Sequence, residues 1–191
     1  MTTRYSQLVA LVSKHKPKHI VEVGVHRGVR AALMMGEALR RSREVAYTGF
    51  DVFDTEGPAF HEAALNGKGI VTQQEAAAKL GLNTLRASVR FVVGDTRETL
   101  HKHPIDADFA FIDGDHRVEV IRGDAAAINA PVLVFDDYYK PGPDGRCPDL
   151  TRYGANVVVD ELAVAGRRVT ILPAGDMCKH GGIAYLAVVT R

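Results

Sequence analysis

The sequence predicts an α/β fold: a mostly parallel β-sheet with helices on both faces and a last strand that runs antiparallel. Three observations predict this class. Short apolar segments, typical of buried strands, alternate with segments of helical periodicity along the 191 residues. Most of the predicted strands are followed by an acid or a glycine where the chain leaves the sheet. The last two strands are joined by a loop too short for a crossover helix, so the last one should reverse direction.

The first quarter of the chain predicts a helix followed by a strand–helix–strand unit. Residues 5–13 carry leucines and valines at helical spacing, and Pro17 ends that segment. Residues 19–23 (HIVEV) then predict a buried strand. Residues 29–39 place their apolar side chains on one helical face, and residues 46–50 predict the second strand.

Residues 53–85 interrupt this alternation. They contain several glycines and a Gly57-Pro58 pair, which favour turns, and a helical pattern over residues 72–80. We therefore expect an inserted flap outside the sheet.

The second half of the chain resumes the alternation. Helices are expected over residues 118–128 and 153–165. The remaining strands are expected at residues 89–93, 108–112, 132–135, 168–172 and 183–189. Because no internal repeat, low-complexity tract or linker is visible, the sequence predicts one domain over residues 1–191 that carries the flap.

Composition excludes several classes of partner. The formal net charge is +1, which gives no support for binding nucleic acid or a membrane surface through charge. Cys147 and Cys178 form no CxxC pair, so a reducing compartment is expected. The first residues lack a signal-peptide pattern, and no apolar run approaches the roughly 20 residues of a membrane span. A cytoplasmic location is expected.

Acidic side chains stand at the carboxyl ends of the five predicted parallel strands, where ligands bind in open α/β sheets. These acids are Glu22, Asp51, Asp95, Asp113 and Asp136. Two of these ends are rich in polar groups: residues 112–116 read IDGDH, and residues 132–138 read VLVFDDY. Because burying an unpaired carboxylate is costly, these acids should face a cation, a ligand or a proton.

The loop after the first strand reads EVGVHRG over residues 22–28. It does not match the GxGxxG pattern of nicotinamide-dinucleotide binding, which counts against a dehydrogenase. It is not a P-loop either, since Gly28 is followed by Val29 and Arg30. The acid at Glu22 suits a ligand that has a cationic end and hydroxyl groups.

These motifs together resemble the class I S-adenosylmethionine-dependent methyltransferases. More narrowly they resemble a small bacterial subgroup with an IDGDH signature, related to the metal-assisted O-methyltransferases of macrolide and aminocoumarin tailoring. The resemblance covers residues 18–189, and the flap is matched least. It implies a Rossmann-like methyltransferase fold with a seven-stranded sheet.

The resemblance also implies roles at matching positions. Glu22, Gly24 and Gly28 would line the methionine half of S-adenosylmethionine, and Asp113 would join this site. Asp51 would accept hydrogen bonds from the ribose, and Asp95 with Thr96 would meet the adenine.

Asp113, Asp136 and Asp137 match metal-binding acids, and oxygen ligands suit Mg²⁺. His116 is the preferred base, because the ordinary imidazole pKa lies near neutral pH, and Asp115 is the second candidate. One departure weakens the metal-assisted assignment: residues 116–119 read HRVE where those relatives tend to have Tyr-x-Ser-Thr.

The predicted function is therefore O-methylation of a hydroxyl on a small molecule, with S-adenosylmethionine as cofactor and Mg²⁺ as an optional one. Methylation of another atom or of a macromolecule, and a non-catalytic cofactor-binding module, are the alternatives. The expected partner is a hydroxylated small-molecule acceptor. Nucleic acid and membrane are not expected, and a homodimer is compatible with the resemblance.

Overall fold

The computed structural model describes residues 2–65, 69–81, 87–179 and 181–191. Among them the helices are α1 (Arg4–His15), α2 (Val29–Arg41), α3 (Pro58–Leu65), α4 (Gln73–Leu80), α5 (Val118–Ala127) and α6 (Ala155–Val164). The strands are β1 (His19–Val23), β2 (Val45–Asp51), β3 (Ala87–Val93), β4 (Ile105–Asp106), β5 (Phe109–Ile112), β6 (Ile128–Asn129), β7 (Val132–Lys140), β8 (Arg168–Ile171), β9 (Asp176–Met177) and β10 (Ile183–Thr190).

The main sheet has the strand order β3-β2-β1-β5-β7-β10-β8. The first five of these strands are parallel, and β10 runs antiparallel to both β7 and β8. The predicted fold class, including the antiparallel last strand, is confirmed. Two short features were not predicted: β9 pairs with β10 as an eighth strand, and β4 pairs with β6 in a separate ladder.

The sheet is packed on both faces because its strands alternate their side chains. On β1, Val21 packs into a cluster that includes Val158 of α6. Its neighbour Ile20 points the other way and packs with Leu8 of α1 and Met34 of α2. Two helix layers thus cover the central strands, and only the strand ends remain for a ligand.

Strand β7 is longer than predicted and contains a bulge. β10 pairs Ala187 with Phe135 and Tyr185 with Tyr138, so Asp136 and Asp137 together face the single residue Leu186. Asp137 has a φ of 55°, in the left-handed region. The prediction that the strand ends at Phe135 is wrong, because β10 continues the pairing after β5 has stopped. A bulge re-aims side chains, and this one lies where the two acids project.

The segment between β2 and β3 holds two helices, of which the sequence predicted α4 but not α3. Thr72 and Glu75 form a reciprocal capping box at the start of α4. Ala76 of α4 packs with Val25 and Phe53, so the described part of this segment lies against the loop after β1. Residues 66–68 and 82–86 of the predicted flap lie outside the described residues. Among the described helices, none combines the length and apolarity that crossing a membrane requires.

Candidate active site

The loop after β1 brings three strand ends into contact. The Gly24 amide donates to the Phe50 carbonyl over 2.9 Å, and the Asp113 amide donates to the Val23 carbonyl over 2.8 Å. Gly24 has a φ of 86°, and a Cβ at this position would lie 2.8 Å from Gly114 Cα and overlap the Asp113 carbonyl. Only glycine meets both conditions, so Gly24 sets the spacing between β1 and β5.

Asp51, at the end of β2, is held by two backbone donors. Its Oδ2 accepts the amide of His26 over 2.7 Å, and its Oδ1 accepts the amide of Phe53 over 2.7 Å. A carboxylate oxygen can accept more than one hydrogen bond, so a ligand hydroxyl can still bind. The carboxylate is therefore fixed in orientation and retains acceptor capacity.

A pocket with an empty volume of about 370 Å³ opens beside Asp51. Its walls come from the ends of β1, β2, β3 and β5. They comprise Val23, Gly24, Phe50, Asp51, Val52, Phe60, Gly94, Asp95, Thr96, Gly114 and Asp115. The structure thus brings together four residues that the sequence assigned to the cofactor: Gly24, Asp51, Asp95 and Thr96.

Asp95 is part of a short Asp-x-Arg turn. Its Oδ1 accepts the amide of Arg97 over 2.9 Å, and its Oδ2 accepts Nη2 over 2.5 Å. The Arg97 side chain holds the pKa of the Asp95 carboxyl below its usual range, although burial acts against it. Asp95 is therefore an anion at neutral pH and is already oriented by a neighbour.

Three other predicted cofactor residues, Glu22, Gly28 and Asp113, do not line this pocket. Glu22 is fully buried in β1, where the Tyr47 hydroxyl donates to its Oε2, and its Oε1 has no hydrogen-bond partner among the described residues. Burial raises the pKa of Glu22 to about 8, the Tyr47 hydrogen bond opposes the shift, and Asp113 adds to it. Gly28 caps α2 with a φ of 70° and lies under Ala76.

A second pocket adjoins the first and shares Gly114 and Asp115 with it. It lies between the ends of β5 and β7. Its polar wall consists of Asp113, Asp115, His116, Asp136, Asp137 and Tyr153. His116 Nδ1 lies 3.7 Å from Asp137 Oδ2, and the His116 ring packs 5.4 Å from the Tyr153 ring, centroid to centroid. The acid beside His116 is thus Asp137, at the β7 bulge.

Asp115 faces both pockets but is held by Arg117. Its Oδ1 accepts the Arg117 amide over 2.8 Å, and Nε of the same residue lies 3.0 Å from both carboxylate oxygens. A guanidinium fork of this kind stabilises the ionised carboxylate. Of the two predicted bases, Asp115 is therefore the less suited to accept a proton.

The acids of β7 have a partner that the sequence analysis missed, the first turn of α1. Arg4 Nη1 lies 2.9 Å from Asp136 Oδ1 and 3.1 Å from Asp137 Oδ1. The Tyr5 hydroxyl donates to Asp136 Oδ2 over 2.8 Å and accepts Arg30 Nη2 over 2.7 Å. Burial raises the pKa of Asp136, and Asp113 and Asp137 raise it further, while Arg4 and the Tyr5 hydrogen bond act against the shift. No local motif marks these residues, because the contacts span more than 130 positions.

The arrangement does not fit the predicted magnesium site of Asp113, Asp136 and Asp137. Among residues 2–65, 69–81, 87–179 and 181–191, no group of three or more His, Cys, Asp or Glu side chains could hold a metal ion. The position between Asp136 and Asp137 is taken by the Arg4 guanidinium. This part of the sequence-based prediction is not supported, because a side chain already supplies the cation that the carboxylates need.

Comparison with known proteins agrees with the fold. A family model described as a methyltransferase domain matches residues 21–138, more than half of the chain. The crystal structure of the O-methyltransferase TomG from Streptomyces achromogenes in complex with SAM has a TM-score of 0.61 and 16% identity, covering 98% of this chain and 79% of that one.

Two further solved structures are similar to the same degree. The O-methyltransferase from Bacillus cereus, in complex with SAH, has a TM-score of 0.60 and 14% identity, covering 98% of this chain and 80% of that one. The O-methyltransferase NovP has a TM-score of 0.61 and 19% identity, covering 94% and 79%. No curated protein matches the chain significantly.

An α/β sheet of this strand order, with two pockets at the carboxyl ends of its parallel strands, is a Rossmann-like fold. The chain belongs to the methyltransferase-domain family, within the class I S-adenosylmethionine-dependent methyltransferases.

Proposed function

We propose that this methyltransferase transfers the methyl group of S-adenosylmethionine to a hydroxyl oxygen of a small molecule. The observation that carries the proposal is the pair of adjoining pockets that share Gly114 and Asp115. One pocket has a fixed carboxylate for ribose hydroxyls, and the other has an imidazole beside an acid. A cofactor and an acceptor in these pockets would meet at the shared wall.

In the first pocket we assign Asp51 to the ribose hydroxyls and Asp95 with Thr96 to the adenine. Gly24 lets the backbone approach the ligand closely. We assign Glu22, Gly28 and Asp113 to the methionine half of the cofactor. Of these, Glu22 and Gly28 would act indirectly, by supporting the loop after β1. The fixed orientation of Asp51 supports its role, since a preoriented acceptor loses little freedom when the ligand binds.

In the second pocket we assign the base to His116. When bound, S-adenosylmethionine supplies an electrophilic methyl group on a sulfonium and leaves as the neutral thioether. His116 takes the proton from the acceptor hydroxyl as the oxygen forms its bond to the methyl carbon, and afterwards releases that proton to solvent. Asp137 stabilises the imidazolium, because its Oδ2 lies 3.7 Å from Nδ1. Asp115 stays the second candidate, disfavoured by its pairing with Arg117.

Similar structures support oxygen as the methylated atom. TomG, the Bacillus cereus protein and NovP are O-methyltransferases. Identities of 14–19% support the fold directly and the acceptor atom only by analogy. Magnesium is left out of the proposal, because Arg4 lies where it would bind. The cytoplasmic location, the homodimer and the lack of nucleic-acid and membrane partners stay predictions.

Two measurements test the proposal. Calorimetry should detect binding of S-adenosylmethionine and S-adenosylhomocysteine and none of NAD⁺. Asp51→Ala should weaken the binding of both ligands by about tenfold or more, the equivalent of one lost hydrogen bond of about 1.4 kcal/mol. Asp54→Ala, which removes an exposed acid three residues away, should leave affinity unchanged.

Acceptor class is tested by S-adenosylhomocysteine release with a panel of phenols, sugar hydroxyls, amines and a protein lysate. Turnover confined to hydroxyl compounds supports the proposal. Turnover only with amines or macromolecules would favour the alternative acceptor. Cofactor binding without turnover on any member would favour a binding module.

A further inference from the structure

We infer that Arg4 is a permanent internal cation of the acceptor pocket, so that its carboxylates work without a divalent metal and the first turn of α1 belongs to the active site. The inference deepens the proposed function, on which the catalytic part of it rests.

Three acids surround the Arg4 guanidinium. Arg4 pairs with Asp136 over 2.9 Å, with Asp137 over 3.1 Å and with Asp176 over 3.0 Å through Nε. The Arg4 side chain is only 12% exposed and the Asp136 side chain 2% exposed. A guanidinium keeps its charge at any pH that proteins tolerate, so this cation does not depend on metal supply.

The surrounding contacts fix the position of Arg4. Its Nη2 donates to the Tyr5 hydroxyl over 2.9 Å, and that hydroxyl donates to Asp136. Gln7, one turn along α1, exchanges two hydrogen bonds of 2.9 Å with the backbone of Ala174. Thr3 caps the helix with a capping box that fixes its first turn. The guanidinium is thus attached to β7, to β9 and to its own helix, and that helix is attached to the loop before β9.

The β7 bulge sets the positions of the two carboxylates relative to Arg4. Asp137 has left-handed backbone geometry, and its amide donates to Asp136 Oδ1 over 2.9 Å. This bulge holds the two carboxylates on either side of one cation. Asp137 then contacts Arg4 through Oδ1 and faces His116 through Oδ2. Arg4 is therefore a positioning residue for the base, acting through Asp137.

The test uses the full chain as wild type, Arg4→Ala and Arg4→Lys. Arg40→Ala is the matched control, because the Arg40 side chain is 78% exposed on α2 and pairs only weakly, at 3.9 Å, with Glu37. Mn²⁺ is titrated into each protein by calorimetry, and the melting temperature is recorded with and without Mn²⁺. Methyl transfer is measured in EDTA and in Mg²⁺.

We expect no saturable Mn²⁺ binding to the wild type or to Arg40→Ala, and equal methyl transfer in EDTA and Mg²⁺. Arg4→Ala should lose at least tenfold in turnover with a smaller change in S-adenosylmethionine affinity. Its melting temperature should fall and should recover in part when Mn²⁺ occupies the vacated position. Arg4→Lys, which keeps a cation, should stay closer to the wild type in all of these readouts.

Three results would overturn the inference. One is a single Mn²⁺ site in the wild type that Asp137→Asn abolishes. Another is methyl transfer that EDTA abolishes and Mg²⁺ restores. The third is an Arg4→Ala variant that behaves like Arg40→Ala throughout. Mn²⁺ binding and the melting temperature can be measured without an acceptor. They therefore test the role of Arg4 even if the proposed methyl transfer to a hydroxyl is wrong.

Discussion

Gly24→Ala is a substitution for which the structure predicts a large effect from a single methyl group. Gly24 has a φ of 86°, a conformation that costs a residue with a side chain on the order of 1–3 kcal/mol. The new Cβ would also overlap the Asp113 carbonyl and lie 2.5 Å from its carbon, so the backbone at the end of β5 must move. Overpacking of this kind typically costs about 1–3 kcal/mol. The two effects together predict a loss of roughly 2–6 kcal/mol in the free energy of unfolding.

The matched control is Gly36→Ala. Gly36 lies inside α2, and a Cβ there would meet no atom within 4 Å. Because alanine is the better helix former, this variant should be more stable by about 0.5–1 kcal/mol. The same substitution at two glycines 12 positions apart is thus predicted to lower the free energy of unfolding at Gly24 and to raise it at Gly36.

Urea unfolding measures both changes, and calorimetry with S-adenosylhomocysteine tests the site. Since Gly114 lines both pockets and Asp113 lines the second, the displaced β5 end should weaken binding in Gly24→Ala at least tenfold, while Gly36→Ala binds as the wild type does. Equal unfolding midpoints for Gly24→Ala and the wild type would refute the argument that the loop sets the spacing between β1 and β5. So would unchanged ligand affinity.

Three more predictions follow from individual side chains. His116→Gln should lower turnover by about 10²–10⁴-fold with little change in S-adenosylmethionine affinity, and equal loss of both would contradict a base role. Burial raises the pKa of Glu22 to about 8 in the folded protein, against an ordinary 4.5, so its contribution to stability is lost as pH rises through that interval. The melting temperature of Glu22→Gln should therefore fall less than that of the wild type between those two pH values. Thr72→Ala should remove the α4 cap and cost about 1 kcal/mol in unfolding, without affecting turnover in a fully folded sample.

Local patterns in the sequence were sufficient to predict most of the sheet. Apolar runs of four to seven residues identify a strand whether or not its neighbours are known, and β1 begins and ends where the pattern predicts. The end of β7 could not be predicted in this way. Phe135 is followed by two acids, which locally indicate the end of a buried strand, yet pairing with β10 carries the strand on to Lys140. Strand pairing between distant segments overrode the local pattern.

Some residues of the candidate site were likewise predictable from local sequence patterns, whereas others depend on contacts between distant segments. Gly24, Asp51, Asp95 and Thr96 were predictable because each stands directly after its own strand, and parallel strands end at one edge. Arg4 and Tyr5 were not, because they belong to a helix whose apolar residues account for its packing without reference to the pocket. Nothing in residues 3–8 points to a partner that lies more than 130 positions away.

The bulge in β7 explains why two acids occupy the middle of a buried strand. In a regular strand, Asp136 and Asp137 would point to opposite faces, and one of them would enter the apolar core. The extra residue opposite Leu186 breaks that alternation, so both carboxylates reach Arg4 from the same edge. A left-handed aspartate and a buried acid both cost stability, and two apolar residues in a regular strand would avoid these costs. This arrangement lies beside the pocket that contains His116, and we attribute it to the proposed methyl transfer rather than to packing.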